Sequence, residues 1–291
     1  MFSELFAIVV PVLVCAAIGF IWARLGRAFE TEFVTNLVTM VGTPCLIAST
    51  LTTLDIPLQA LGEVAIASLT ATAGFALLGM AVLRAMKLPF HSFLPALMFP
   101  NTGNMGLPLC LFAFGEAGLA FAIIIFALTA TLQFTVGITI ASGTFSLKRL
   151  VRMPILYAIA FSIAVIATGW SVPGWIANTI DLLGGLTIPM MLLALGVSLA
   201  RLRVTTVHRA LFLSLVRLAG GAAVGYGIGH LFGLSDLARG VILIQATMPV
   251  AVFNYLFAQY YSRDPEQVAG MVMISTILSF VTLPLLLLAV L

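Results

Sequence analysis

Charged side chains are scarce in this chain: they make up 8% of its 291 residues, whereas hydrophobic residues make up 62%. A soluble domain carries roughly 25% charged residues, so an ordinary soluble domain is excluded. The apolar stretches are each about long enough to cross a bilayer as a helix. Since they recur along the whole chain, the sequence predicts one membrane domain over residues 1–291.

Cysteines and catalytic motifs are also lacking. The three cysteines, Cys15, Cys45 and Cys110, lie inside apolar stretches without metal-ligand spacing, which argues against a disulfide framework and a zinc site. No HExxH, GxSxG or phosphate-binding loop occurs. We therefore expect no enzyme activity, no cofactor and no metal. The net charge of +3 comes from basic residues between the apolar stretches, so it indicates membrane topology and no nucleic-acid partner.

The pattern of apolar stretches and short polar breaks predicts an all-α membrane protein with ten transmembrane helices. Five spans per half is an odd number, so the second half, about residues 148–291, is inverted relative to the first, about residues 1–147. A weak internal repeat agrees, because a shift of about 145 residues aligns Pro44 with Pro189. The predicted spans are 5–23, 33–54, 61–83, 92–114, 117–143, 153–170, 175–200, 208–233, 237–260 and 266–290.

The basic residues predict the orientation. If the N-terminus is outside, the inner loops receive all of the 13 Lys and Arg residues except Arg239, in an outer loop, and Arg217, within a span. This bias is the positive-inside pattern, so we expect a multi-pass protein of a bacterial inner membrane with both termini periplasmic. The predicted inner residues are Arg24, Arg27, Arg84, Lys87, Lys148, Arg149, Arg152, Arg201, Arg203, Arg209 and Arg263.

Two predicted spans are interrupted near their middles by helix-breaking residues. Span four carries PNTGNMGLP over residues 100–108, and span nine carries QATMP over residues 245–249, at the corresponding place in the second half. Proline removes a backbone N–H and glycine lowers the cost of unwinding. The residues that break the helices are Pro100, Gly103, Gly106, Pro108 and Pro249.

Paired interruptions of this kind are typical of a transporter's substrate site. A half-helix that starts at a break presents free N–H groups and a positive dipole end, which favour an anion. A proline kink repaired by neighbouring side chains is the alternative for each break alone. The uncharged donors that we expect at the substrate site are Asn101, Thr102, Asn104, Gln245 and Thr247.

Arg217 is the only basic residue deep within a span. A charge at the bilayer centre costs about 2.5–3.5 kcal/mol, so this side chain is expected to face the interior of the bundle. It either binds a substrate carboxylate with its planar fork or bonds to backbone carbonyls as a structural residue. Carboxylates within spans are scarce, and Glu63, near the start of span three, is the candidate for ion coupling.

The segment Pro100-Asn101-Thr102, followed by Met105-Gly106 and Pro108-Leu109, resembles the fourth helix of the auxin efflux carrier family. This family includes the plant PIN-type auxin carriers and bacterial permeases for malonate and malate. The resemblance extends over the whole chain. Further matches are Pro44, Leu132-Gln133, Val216-Arg217, Gln245-Ala246, Pro249, Phe257-Ala258 and Pro265.

The resemblance implies that helices four and nine cross at their prolines. It also implies a scaffold of spans 1, 2, 6 and 7, a mobile transport domain of spans 3–5 and 8–10, elevator-type alternating access and a homodimer. A carboxylate substrate would lie near Asn101 and Gln133. The chain lacks the Asp and Lys that plant carriers place in the third helix, so coupling to H⁺ or Na⁺ stays open.

The function that the sequence favours is secondary transport of a small organic anion, a mono- or dicarboxylate such as malonate or malate. One alternative is a sodium symporter resembling the bile-acid carriers, in which the oxygens of Asn104, Gln245 and Thr247 would bind Na⁺. A second is a ligand-gated channel or sensor, although channels usually show rings of polar residues from several subunits.

Overall fold

The computed structural model describes residues 2–54, 56–146, 148, 151–202, 204 and 206–290. These residues are almost entirely helical and contain no β-strand, apart from one isolated antiparallel bridge between Pro100 and Val250. The prediction of an all-α protein is confirmed. Arg149 and Arg203, which belong to the predicted inner loops, lie outside the described residues.

The described helices are numbered in chain order, and two of them, α2 and α5, include π-helical turns at Val38–Gly42, Thr102–Gly106 and Gln133–Gly137. The helices are α1 (Phe2–Arg24), α2 (Thr31–Thr53), α3 (Leu58–Ala85), α4 (Phe90–Met98), α5 (Thr102–Ser142), α6 (Pro154–Thr168), α7 (Gly174–Arg201), α8 (Val207–Leu231), α9 (Asp236–Ala246), α10 (Val252–Tyr260) and α11 (Pro265–Val290).

Within the described residues, seven helices are long and apolar enough to cross a membrane: α1, α2, α3, α5, α7, α8 and α11. The difference from the ten predicted spans has local causes. α5 consists of two helical segments, the second part of span four and span five, which are divided at the non-helical residue Gly115 (φ 66°, ψ −161°). α6 has only 15 residues, and span nine is divided between α9 and α10. The count of ten stays a prediction.

The helices pack in two groups. In the first group, α1 packs along α7, and α2 packs on α6 and α7. In the second group, α3 packs on α4, α5 and α8, while α9 packs on α5 and α8, and α11 packs on α8 and α10. The first group corresponds to predicted spans 1, 2, 6 and 7, and the second to the remaining six.

Glycines allow the closest approach within the first group. A Cβ placed at Gly19 would overlap the backbone of Leu193, and one at Gly196 would overlap the backbone of Ala16. Small residues at such positions let membrane helices pack backbone to backbone. The pairing of α1 with α7 therefore depends on these two glycines.

Candidate functional site

The two interrupted segments lie against each other and pair through their backbones. The Asn101 N–H donates to the carbonyl of Pro249 at 2.7 Å, and the Ala251 N–H donates to the carbonyl of Phe99 at 3.3 Å. Pro100 and Pro249 have no N–H, so neither can continue a helical ladder. Two of the backbone N–H groups freed at the breaks thus find their partners at the other break, as buried backbone groups require.

This meeting point has an electrical polarity. α5 and α10 begin here, so their ends carry partial positive charge, whereas α4 and α9 end here with partial negative charge. Arg217 lies at the negative ends: its Nη1 donates to the Leu97 carbonyl at 3.3 Å and its Nη2 to the Ala246 carbonyl at 2.5 Å. Its Cζ lies 4.3 Å from the centre of the Phe75 ring. The sequence left two interpretations of Arg217, and these bonds fit the structural one.

A cavity of about 40 Å³, which we call the central cavity, adjoins the positive ends. The first turns of α5 and α10 form one wall, and α2, α6 and α7 form the other, so both groups of helices contribute. The break supplies Pro100, Asn101, Thr102, Gly103, Asn104, Ala251 and Phe253; α5 further along supplies Phe126, Ala130, Gln133 and Phe134; the first group supplies Thr39, Thr43, Ile155 and Met191.

Asn101 is a buried polar residue on this wall with an unused donor. Its Oδ1 accepts a hydrogen bond from the Asn104 N–H at 3.3 Å and so caps the start of α5. Its Nδ2 has no hydrogen-bond partner among the described residues, although only 4% of the residue is exposed. Leaving a buried donor unpaired costs about 1–3 kcal/mol. The position therefore favours a ligand that brings an acceptor oxygen, such as a carboxylate.

A buried bridge of side chains holds the other side of the break. Gln133 Nε2 donates to Asn254 Oδ1 at 3.0 Å, and Asn254 Nδ2 donates to the Phe99 carbonyl at 2.9 Å. Ser275 Oγ, on α11, accepts the Val250 N–H at 3.0 Å. Sequence reasoning missed Asn254 and Ser275. The available signal for Asn254 was an uncharged polar side chain in an apolar span, about one turn after the second interruption.

Two further cavities lie between the central cavity and the surface. The nearer one, of about 80 Å³, shares Thr39, Asn104, Met191 and Phe253 with it. The outer one, of about 750 Å³, shares Thr35, Ser198 and Leu256 with the nearer one and extends to the exposed residues Arg27 and Arg201. Neighbouring cavities that share lining residues thus extend from the exposed Arg27 and Arg201 to Asn101.

The three π-helical turns all contribute to the central cavity. The turn in α2 supplies Thr39, the first turn of α5 supplies Thr102 to Asn104, and the later turn of α5 supplies Gln133. A π-turn leaves part of the helical ladder irregular, and such turns are frequent at functional sites. Their convergence agrees with a binding role for this cavity.

Two predicted residues of the second break lie outside the central cavity. Gln245 is fully buried, and its amide oxygen and nitrogen lack hydrogen-bond partners among the described residues. It packs against Gly106, where a Cβ would overlap its side chain, and it lines a separate cavity of about 20 Å³ together with Thr102. Thr247 donates to the Leu243 carbonyl at 2.8 Å and lines none of these four cavities.

Glu63, the predicted coupling residue, is not brought to the break. It is exposed near the start of α3 and accepts a hydrogen bond from Gln59 Nε2 at 2.9 Å.

Two of the predicted helix breakers, Pro108 and Gly103, have defined local roles. Pro108 closely follows the π-helical turn Thr102–Gly106, where the helical ladder is already irregular. Gly103 leaves room for Phe126, whose ring would be 2.7 Å from a Cβ.

Comparison with known proteins gives a matching family model and several similar proteins. A family model described as membrane transport protein matches residues 137–287, more than half of the chain. The chain is 29% identical over 199 residues to an uncharacterized transporter of Methanocaldococcus jannaschii, a match that covers 65% of this chain and 64% of that protein. It is 33% identical over 193 residues to an uncharacterized transporter of Methanothermobacter thermautotrophicus, with 64% and 63% covered.

A plant protein is also similar. Over 126 residues the chain is 29% identical to auxin efflux carrier component 1 of Arabidopsis thaliana, a match that covers 41% of this chain and 20% of the plant protein. The matched parts of the chain thus span less than two thirds of the length of each relative.

Proposed function

The chain belongs to the membrane transport protein family, the family of the auxin efflux carriers, and on this premise we propose that it is a secondary carrier for a small organic anion. Membership confirms the resemblance read from the fourth predicted span. The family consists of membrane transporters, which agrees with a protein without enzymatic activity. The substrate and the mechanism that follow are our proposals.

The observation that carries the proposal is the polarity of the break. Two helix starts and the unpaired Nδ2 of Asn101 face one cavity, while the two helix ends are neutralised by Arg217 on another side. Helix N-termini bind anions with their free N–H groups and dipoles, and half-helix N-termini in transporters point at anionic substrate groups. A carboxylate in the central cavity would meet the donor that the protein leaves unused.

The size of the cavities suggests how a substrate is arranged. We assign its carboxylate to the central cavity, near Asn101, Thr102 and Gln133, and its remaining atoms to the adjoining cavity of about 80 Å³. That second cavity mixes apolar side chains such as Met191 with polar ones such as Thr39. A mono- or dicarboxylate of the size of malonate or malate suits this arrangement.

Contacts between the loops support the ten-span topology with crossed helices four and nine. Residues in the predicted inner loops, or at the adjoining ends of the predicted spans, bond to one another across the sequence. The Arg201 guanidinium donates to the Phe29 carbonyl at 3.1 Å, and Arg263 Nε donates to the Ala141 carbonyl at 2.9 Å. Ser92 Oγ donates to Asp264 at 2.6 Å. The outer cavity at Arg27 and Arg201 would then face the cytoplasm, and both termini the periplasm.

The two packing groups support elevator-type transport. The central cavity lies between them, so movement of the α3–α5 and α8–α11 group against the α1, α2, α6 and α7 group would carry the substrate past a fixed scaffold. Glycine contacts make the pairing of α1 with α7 tight, as a static scaffold requires. A homodimer is the expected assembly, as the family resemblance implies.

Counterflow uptake in proteoliposomes tests the proposal. Vesicles preloaded with unlabelled malonate, malate or a monocarboxylate receive the same acid in labelled form, and protein-free vesicles serve as the control. We expect saturable uptake of at least one acid. Flux that does not saturate, accompanied by single-channel currents, would favour a channel, and no uptake of any acid by folded protein would contradict an anion carrier of this class.

Repeating the uptake with imposed H⁺ or Na⁺ gradients identifies the coupling ion. A sodium symporter requires Na⁺ for uptake, so equal uptake in Na⁺ and in choline would exclude that alternative. Stimulation by an inward H⁺ gradient would establish proton coupling.

A further inference from the structure

The two helix ends at the break share one cationic side chain. Each α-helix ends with four carbonyls that lack intrahelical partners, and unpaired carbonyls inside a membrane are strongly unfavourable. Arg217 donates to Leu97, in the last turn of α4, and to Ala246, the last residue of α9. One guanidinium therefore serves the carboxyl ends of both interrupted helices.

α8 is built to bring this side chain to its place. Gly221 lies one turn after Arg217, and a Cβ there would overlap the carbonyl of Ala246. A Cβ at Gly225 would lie 2.7 Å from the Ala246 side chain. The absence of these Cβ atoms lets α8 approach the end of α9, so that Arg217, which is 2% exposed, reaches both carbonyls.

The charge of Arg217 is balanced without an acid. In the part of the chain that the structure describes, no carboxylate forms an ion pair with it; the only side chain stacked on it is the ring of Phe75. The dipoles of two helix ends and the face of an aromatic ring supply the negative potential. In carriers with discontinuous helices, half-helix carboxyl ends and unwound carbonyls coordinate the coupling Na⁺ or H⁺. Here a covalently attached cation already occupies that role.

We propose that Arg217 is a positioning residue that acts as a built-in cation: it holds the carboxyl ends of α4 and α9 together, as a bound metal ion does in ion-coupled carriers. Its bonds fix the breaks, and so they keep the amino-terminal ends of α5 and α10, which begin on the other side of the breaks, directed at the central cavity. Arg217 does not touch the substrate. For what it says about transport, the inference rests on the proposed function.

Thermal unfolding of the purified protein tests the inference without any substrate. The melting temperature of the wild type should be equal in NaCl and in choline chloride at the same ionic strength. Arg217→Ala should melt several degrees lower and regain part of the loss in millimolar guanidinium chloride, which fits the space left by the side chain. Arg239→Ala is the matched control, because it removes an Arg from the other end of α9, where it pairs with Asp236, and guanidinium should not raise its melting temperature.

Counterflow uptake gives the second readout. Arg217→Ala should lose about tenfold or more of its uptake, the effect of one strong charged contact, and guanidinium should restore uptake in this variant alone. Arg217→Lys, which keeps a cation, should retain more uptake than the uncharged Arg217→Met. If Arg217→Ala does not fold, the comparison of Arg217→Lys with Arg217→Met tests the proposal.

The outcomes separate the two proposals. A wild-type protein that melts at a higher temperature in Na⁺ than in choline, or that needs Na⁺ for uptake, would refute the role of Arg217 as a built-in cation. An Arg217→Met variant with the melting temperature and uptake of the wild type would also refute it. If no acid is transported but the melting data follow the expectation, the proposed function fails and the role of Arg217 stands.

Discussion

Replacing Asn101 by alanine should weaken substrate binding without weakening the fold. The substitution removes one amide group with two different roles. Its Oδ1 accepts a long hydrogen bond of 3.3 Å from the Asn104 N–H, and its Nδ2 has no partner among the described residues. The first role stabilises the protein, whereas the second destabilises it until a ligand arrives.

The magnitudes follow from these two roles. Losing this long capping hydrogen bond lowers the stability by about 0.5–1 kcal/mol. Removing an unpaired buried donor raises the stability by about 1–3 kcal/mol. The net change in stability is therefore close to zero or favourable. A hydrogen bond to a charged carboxylate contributes about 1.5–3 kcal/mol, so its loss should raise the KM for the transported acid roughly 10- to 150-fold.

The assay combines counterflow kinetics with thermal unfolding of the same preparations. Asn178→Ala is the control, since Asn178 is an exposed residue of α7 that lines none of the cavities described above, and it should leave the KM unchanged. A wild-type KM in Asn101→Ala would refute the assignment of the carboxylate to this residue. A melting temperature lowered by many degrees would refute the expectation that the two effects on stability nearly cancel.

Three further substitutions test the packing around the site. Asn254→Ala leaves a buried donor and a carbonyl with fewer partners, so unfolding should become easier by about 2–4 kcal/mol, measured as a lower melting temperature. Gly196→Ala forces α7 away from α1 at a cost of about 1–3 kcal/mol and should lower the yield of folded protein, whereas Gly185→Ala on the same helix, where a Cβ meets nothing within 4 Å, should not. Gly103→Ala, whose Cβ would overlap the Phe126 ring that lines the central cavity, should reduce counterflow uptake.

Much of the candidate site could be predicted from the sequence because its residues break a strong pattern. Pro100 and Pro249 interrupt apolar spans, and the chain cannot be helical across them without leaving backbone groups unpaired. The sequence therefore predicts both breaks, and the structure places them in contact through Asn101 and Ala251. The boundary predicted between spans four and five likewise coincides with the bend at Gly115.

What could not be predicted depends on neighbours in space. Arg217 had two possible partners, a substrate or backbone carbonyls, and only the approach of α8 to α9 selects the carbonyls of Leu97 and Ala246. In the sequence Asn254 is an isolated polar residue, and only the fold brings it into contact with Gln133, 121 positions away. Periodicity along one helix contains no information about either meeting.

Substrate protection of a single cysteine tests the central claim most directly. Thr39 lines both the central cavity and the next one, so Thr39→Cys, in a protein whose Cys15, Cys45 and Cys110 are replaced by alanine, reports on their occupancy. Its labelling by a charged thiol reagent should slow severalfold with the transported acid, while labelling of Asn178→Cys should not change. Equal labelling of Thr39→Cys with and without saturating acid would contradict a substrate site where the two interrupted helices meet.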